Sequence, residues 1–175
     1  PFLVISGDIV TDIDLSQTVR FHREKRALAT LVLTQVADPT GYGVVVTDPA
    51  GRIRQYLEKP SSQSVVSHFV NTGIYVLEPE LLDYMQPATV YDFSYDILPR
   101  LLNENGALFG CQTEGYWRDI GTIQSYQQSI ADVRAGKVDL VRNVVASSMA
   151  TKGSAKPSRA RPRVQFWPSR FNVYS

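Results

Sequence analysis

This chain of 175 residues has one cysteine and two histidines. A lone thiol, Cys111, closes no internal disulfide, which fits a reducing compartment better than a stapled secreted scaffold. No apolar run approaches the roughly 20 residues that a membrane-spanning helix needs, and no charged-then-apolar leader opens the chain. The expectation is a cytoplasmic protein without a membrane partner. His22 and His68 are the only histidines, and neither forms part of a recognisable Ser-His-Asp set. His22 falls on a helix face and reads as structural; His68 takes no role. Acidic residues are missing from the final 25 positions. Residues 1–150 hold all 17 acids and 12 of the 18 bases, a net of −5, whereas residues 151–175 hold six bases and no acid, a net of +6. The overall charge of +1 hides two regions of different character.

What is present is ordinary for a globular domain: 43% hydrophobic and 20% charged residues in a chain long enough for one core. Apolar segments alternate between strand and helix character. FLVIS, after Pro1, is a continuous run that suits a strand buried on both faces of a parallel sheet. Asp14 and Gln17 resemble a capping pair, with Leu15, Val19 and His22 on one helical face. ALATLVLTQV reads as a strand and DPTGYG as a turn. VVVTDPAGRIRQYLEKP reads as a hairpin through Asp48-Pro49-Ala50-Gly51. HFVNTGIYVL is a further strand, followed by a short helix opened by Pro79. SYDILPRLLNEN is helical, with Pro99 kinking it or sitting in its first turn and Gly106 closing it. ALFGCQTE is a strand with Cys111 in the core, and TIQSYQQSIADVRAG a helix ended by Gly136. Such alternation indicates an α/β fold with a mixed sheet. A strand as apolar as FLVI makes a poor free edge, so the chain is expected to begin within a domain, as a fragment incomplete at the N-terminus, and to be poorly soluble alone.

Ligand chemistry in open α/β sheets collects at the carboxyl ends of strands. Gly7-Asp8 stands at such an end, the glycine letting the backbone pass close to a ligand. Asp119, in GYWRDIGT, follows a strand and precedes a helix opened at Gly121-Thr122. Carboxylates in these positions suit Mg²⁺, a hard cation that takes one or two of them together with phosphate oxygens. The plainer alternative is a turn acid and a helix-capping acid. For Asp12 and Asp14 the turn and the cap are the favoured readings.

LVISGDIVTDIDL, YGVVVTD, GRIRQYLEKP, VNTGIYVLEPELL, DFSYDILPRLL and GYWRDIGTIQSYQQ occur in this order, and together resemble the sugar-phosphate nucleotidyltransferases, with a particular likeness to bacterial mannose-1-phosphate guanylyltransferases. The resemblance spans about residues 2 to 140. It implies a Rossmann-like nucleotidyltransferase fold that joins a sugar 1-phosphate to a nucleoside triphosphate and releases pyrophosphate, most simply GDP-mannose from mannose 1-phosphate and GTP. It also implies that Asp8 and Asp119 hold the catalytic Mg²⁺, that Glu58 binds the sugar and that Lys59 meets its phosphate. Gly43 then gives a backbone contact to the sugar, Asn71 lies beside its hydroxyls, and Trp117 walls the pocket. Phosphoryl transfer asks a protein mainly to position groups and neutralise charge, which accords with the absence of a covalent nucleophile. The resemblance leaves room for a homo-oligomer in a full-length protein.

Two departures limit these implications. The family's glycine-rich, Arg- and Lys-bearing stretch, which cradles the triphosphate, has no counterpart here, so the chain by itself is expected to be inactive. After the nucleotidyltransferase portion, 1–140, residues 141–175 read as a basic, proline-containing, disordered tail; the alternative is a basic arm for nucleic acid, and no nucleic-acid partner is expected. A non-catalytic sugar-phosphate-binding or regulatory paralogue is the alternative to an enzyme. A nucleotide-sugar-using glycosyltransferase is a third class, disfavoured by EKP and WRDIG. Limited trypsin digestion should cut first at Lys152, Arg159, Arg163 and Arg170, the basic sites of this segment not followed by proline; mass spectrometry showing those sites protected would mean that the basic segment docks on the domain.

Overall fold

The computed structural model describes residues 1–86 and 89–139. The elements in chain order are β1 (Phe2–Ile5), β2 (Ile9–Thr11), α1 (Leu15–Lys25), β3 (Ala29–Gln35), β4 (Gly43–Thr47), β5 (Ile53–Glu58), β6 (Phe69–Leu77), α2 (Leu98–Asn103), β7 (Leu108–Gln112), β8 (Trp117–Asp119) and α3 (Ile123–Arg134). A 3₁₀ turn at Pro79–Tyr84 follows β6, and a π-helical turn at Phe93–Ile97 leads into α2. The expected tail, 141–175, lies outside the described residues.

In β3 the β-branched Thr30, Val32 and Thr34 alternate with Ala29, Leu31 and Leu33, and the first six residues of the strand are buried. It pairs antiparallel with β6 and parallel with β7, so the main sheet is mixed, in the order β5-β4-β6-β3-β7. One edge of β6 carries β3. The other is shared: β1 pairs with its C-terminal half, from Phe2↔Leu77 to Ile5↔Ile74, and β4 meets its start at Val44↔Val70. β1 corrects the sequence reading. It is antiparallel to its neighbour rather than part of a parallel sheet, and it is not buried on both faces: Phe2, Leu3 and Ile5 are 37%, 40% and 45% exposed. Among the described residues β1 pairs only with β6, so its apolarity goes largely uncovered.

The β3–β6 ladder breaks once. Leu31 pairs with Tyr75 and Leu33 with Asn71, so that Val32 faces Thr72, Gly73 and Ile74 together. Gly73 takes φ 77°, a left-handed conformation natural to glycine. The Thr72 hydroxyl turns inward and donates to the Val32 carbonyl at 2.9 Å.

Two apolar clusters flank the sheet. The larger joins Leu31, Leu33, Val45, Tyr75 and Leu77 to Leu81, Ile97, Leu98 and Leu101 on the covering turns and α2. Truncating one of these leucines to alanine would cost about 2–5 kcal/mol. The smaller contains Ile13, Val32 and Ile74, with Ile9, Leu15 and Trp117 packed against it. Asp14 caps α1 as expected, accepting from the Ser16 amide at 2.9 Å, and hydrogen bonds from Ser16 hold its carboxyl below the usual range. The buried residues of α1 are Thr18 and His22; Leu15 and Val19 are only partly covered. Pro99 sits in the first turn of α2. The left-handed residue after that helix is Asn105, φ 53°, and not Gly106, whose amide instead donates to the Leu101 carbonyl at 2.8 Å. Thr122 opens α3 with a capping box and Gly136, φ 71°, follows its end. Cys111 is buried as expected.

His22 is fully buried, with Nδ1 2.8 Å from Thr30 Oγ1 and Nε2 3.2 Å from Glu78 Oε1. Burial lowers its pKa from the ordinary histidine value, against the opposing pull of Glu78. The unfolded chain therefore binds a proton more readily below about pH 6.5. The contribution of His22 to stability is complete above that pH and is lost as pH falls through the lowered folded value. Thermal unfolding followed from pH 7.5 to 5.5 should show a falling midpoint, and His22→Gln should flatten that dependence although it starts lower; an equally steep fall in the variant would remove His22 as the cause.

Candidate functional site

β2 and β8 form a separate two-stranded antiparallel ribbon with Ile9 opposite Asp119 and Thr11 opposite Trp117. Asp8 occupies the turn between β1 and this ribbon, and its carbonyl accepts from the Ile120 amide at 2.8 Å. The structure thus brings Asp8 and Asp119 to one end of the ribbon. The Asp8 side chain is exposed and accepts from the Ser6 hydroxyl. Asp119 Oδ1 accepts from the Gly121 amide at 2.8 Å, and a Cβ at Gly121 would lie 3.0 Å from that oxygen.

Two-stranded ribbons are marginal alone, and two buried acids anchor this one. Asp12, 7% exposed, accepts from the Tyr116 amide at 2.6 Å through Oδ1 and from the Asp139 amide at 3.0 Å through Oδ2. It is therefore a clamp between distant segments and not the turn acid that its local sequence suggests. Gly115 makes room for it: φ is 131°, and a Cβ there would stand 2.8 Å from Asp12 Oδ1. Asp132 on α3 takes the Tyr116 hydroxyl at 2.9 Å, Lys137 at 2.9 Å and Arg118 at 3.4 Å. The hydrogen bond from Lys137, followed by those from Gln128 and Tyr116, holds its carboxyl at a pKa of about 2.

The break in β6 joins this ribbon to the main sheet. The Trp117 indole donates to the Thr72 carbonyl at 3.0 Å, and the Ser6 amide, two residues before Asp8, donates to the Gly73 carbonyl at 2.9 Å. Asn71 Oδ1 accepts from the Gly73 amide at 3.2 Å, while its Nδ2 donates to the Tyr75 hydroxyl at 2.8 Å. Trp117 packs edge-on against Tyr42, with ring centroids 5.4 Å apart. Tyr42 adjoins Gly43, and Gly43 pairs with Glu58 across the β4–β5 hairpin. All seven residues singled out from the sequence are thereby linked through the ribbon, the β6 break and the start of the hairpin.

Lys59 departs from regular backbone at φ 43°, its amide donating to the Tyr42 carbonyl at 3.1 Å. Among the described residues the other non-glycine positions with positive φ, Arg26 and Asn105, follow helix ends, where that conformation is common. Lys59 follows a strand, which makes it the anomalous one. Sequence reasoning missed Tyr56, Thr72 and Ser94. Tyr56 lies two residues before Glu58 on one strand and so shares its face, the one signal that could have found it. A cavity of about 620 Å³ between α1, the Asp48–Gly51 turn and β7 contains none of the predicted site residues.

Chemically, the ribbon end offers carboxylate oxygens and the hairpin a carboxylate and an ammonium. Among the described residues no group of three or more His, Cys, Asp or Glu converges to enclose a metal. Two carboxylates fit a hard divalent cation that shares its remaining ligands with phosphate and water.

The family model described as nucleotidyl transferase matches residues 1–136. A UTP–glucose-1-phosphate uridylyltransferase of Synechocystis sp. is 37% identical over 143 residues, covering 81% of this chain and 37% of that protein. The mannose-1-phosphate guanylyltransferase catalytic subunit beta of Xenopus tropicalis is 37% identical over 129 residues, covering 72% of this chain and 34% of that protein. Among solved structures, a candidate glucose-1-phosphate thymidylyltransferase of Bacillus anthracis, in complex with a sucrose, superposes with a TM-score of 0.62 at 26% identity, over 74% of this chain and 52% of that one. The chain spans about a third of the length of the curated relatives it matches. The fold is shared with that solved structure, and the residues matched by the family model include both the ribbon and the β4–β5 hairpin: the chain belongs to the nucleotidyl transferase family.

Proposed function

We propose that this chain forms the sugar- and metal-binding part of a sugar-1-phosphate nucleotidyltransferase, which joins a sugar 1-phosphate to a nucleoside triphosphate with release of pyrophosphate. The observation that carries the reading is the meeting of Asp8 and Asp119 at one end of the β2–β8 ribbon, beside the sugar-side hairpin. These two carboxylates would hold Mg²⁺, which when bound supplies charge neutralisation at the phosphates. Lys59 serves as a point charge for the sugar phosphate. Glu58 accepts from a sugar hydroxyl, the Gly43 backbone and Asn71 border the same ring, and Trp117, pinned by its indole, closes the pocket wall. Mannose 1-phosphate and GTP are the first pair to test, on the likeness of the motifs to guanylyltransferases; the relatives' names span uridylyl and guanylyl transfer.

The test is pyrophosphate release in a chain that carries a glycine-rich Arg-Lys segment ahead of Pro1, with mannose 1-phosphate or glucose 1-phosphate and each nucleoside triphosphate. Asp8→Asn and Asp119→Asn should each lower turnover by at least about 100-fold with little change in unfolding midpoint, the scale of losing an electrostatic contact in the transition state. Near-normal turnover in both at limiting Mg²⁺ would leave the two acids as a turn and a cap.

The left-handed backbone at Lys59 separates binding from stability. Lys59→Ala should raise the KM for sugar 1-phosphate more than it lowers kcat. Lys59→Gly should lose the same binding yet unfold at a higher denaturant concentration, since glycine relieves a conformation costing about 1 kcal/mol. Equal stability of the glycine and alanine variants would show that no strain resides there.

A further inference from the structure

The hydroxyl of Tyr56 is a meeting point that the proposed roles leave unused. It donates to Glu58 Oε2 at 2.5 Å and lies 3.0 Å from the Ser94 hydroxyl, on the turn that leads into α2. Asn71, on β6, also faces it. The fit is close: a Cβ at Gly43 would fall 2.2 Å from this hydroxyl and 2.9 Å from Glu58 Oε2, so the hairpin has no room for a side chain opposite the pair. Burial, reinforced by the neighbouring Glu58 carboxylate, pushes the phenol far above its ordinary pKa. Tyr56 is thus a neutral donor across the whole working range of pH. Glu58 Oε1, by contrast, receives no hydrogen bond among the described residues.

We propose that Tyr56 is the positioning residue of the sugar pocket: it pins Glu58 through Oε2, so that Oε1 is presented in a fixed direction and the pocket selects its sugar by one oriented acceptor. This rests on the sugar-binding reading of Glu58 given above. A free carboxylate can rotate and accept from either of two adjacent hydroxyls, and so tolerates epimers. A carboxylate pinned through one oxygen by the tyrosine can no longer turn, so Oε1 keeps a fixed direction, and an epimer whose hydroxyl points elsewhere leaves that acceptor unpaired in a partly dry site. Ser94 sets the tyrosine in turn, coupling selectivity to the turn that carries it. The preferred ligand class is a hexose 1-phosphate with a single hydroxyl directed at β5.

The experiment is isothermal titration of the chain extended ahead of Pro1 as above with mannose, glucose and galactose 1-phosphates, for the wild type, Tyr56→Phe, Ser94→Ala, Glu58→Gln and the Tyr56→Phe/Glu58→Gln double variant. The wild type should prefer one epimer. Tyr56→Phe should compress that preference roughly tenfold, the worth of one hydrogen bond to a charged group, and the double variant should lose little beyond Glu58→Gln alone. Ser94→Ala should compress it less, and serves as the readout if Tyr56→Phe fails to fold. An unchanged epimer ratio in folded Tyr56→Phe, or in Ser94→Ala where it is the readout, with Glu58→Gln altered, would overturn the proposal while leaving the sugar role of Glu58 intact. An unchanged ratio in Glu58→Gln as well, or no binding of any sugar phosphate by the wild type, would overturn the reading on which it stands.

Discussion

The irregularity at Thr72–Gly73 in β6 is the constraint on which the site depends. A regular strand would use every amide and carbonyl of this segment in ladders to its neighbours. Three residues of β6 set against one of β3 leave the Thr72 carbonyl to the Trp117 indole, while the next carbonyl, at Gly73, takes the Ser6 amide where the β1 register runs on. A sheet interior that would otherwise be closed to polar partners thereby acquires two fixed attachment points. Both lead to the β2–β8 ribbon, one through β8 and the other through the segment that carries Asp8. The left-handed φ of Gly73 makes this possible, and a Cβ added there would also sit 3.1 Å from the Cβ of Ser6.

The acids of the ribbon divide between two tasks by environment. Asp12 and Asp132 are buried and bonded through both oxygens to amides, hydroxyls and cations, so they are spent on holding Tyr116 and Arg118 in place. Asp8 and Asp119 are more exposed, and among the described residues each has a single side-chain hydrogen bond. An acid free to receive a ligand must be held by others that are not. Removing Asp12 would take its acceptor from the half-buried Tyr116 amide, at about 1–3 kcal/mol. It would loosen the ribbon without touching either exposed carboxylate.

Features set by near neighbours were legible in the sequence. The Asp14 cap, the Asp48–Gly51 hairpin, Pro99 in a first turn and the glycine after α3 all depend on residues within a few positions, and all are found. The pairing partner of FLVI was misread because a short apolar run fits a buried parallel strand and an uncovered antiparallel edge equally well. Asp12 was misread for a different reason: its partners are 104 and 127 residues away, and no local pattern encodes them. Tyr56 looked like one more aromatic in a strand. Its importance comes from the absence of a side chain at Gly43 across the hairpin, a relation visible only once the register is known.

That relation also orders the paths along which such a pocket can change. While Tyr56 keeps its hydroxyl, position 43 is closed to every residue but glycine, because the oxygen fills the volume where a Cβ would stand. Loss of the hydroxyl alone does not open it, because the Tyr56 ring carbon Cζ would stand 2.7 Å from that Cβ and Glu58 Oε2 2.9 Å. A side chain at position 43 therefore needs the aromatic ring itself replaced by something smaller, and a route that changes position 43 first passes through a clash. Divergence of this site toward another sugar is contingent, and its first step falls on Tyr56.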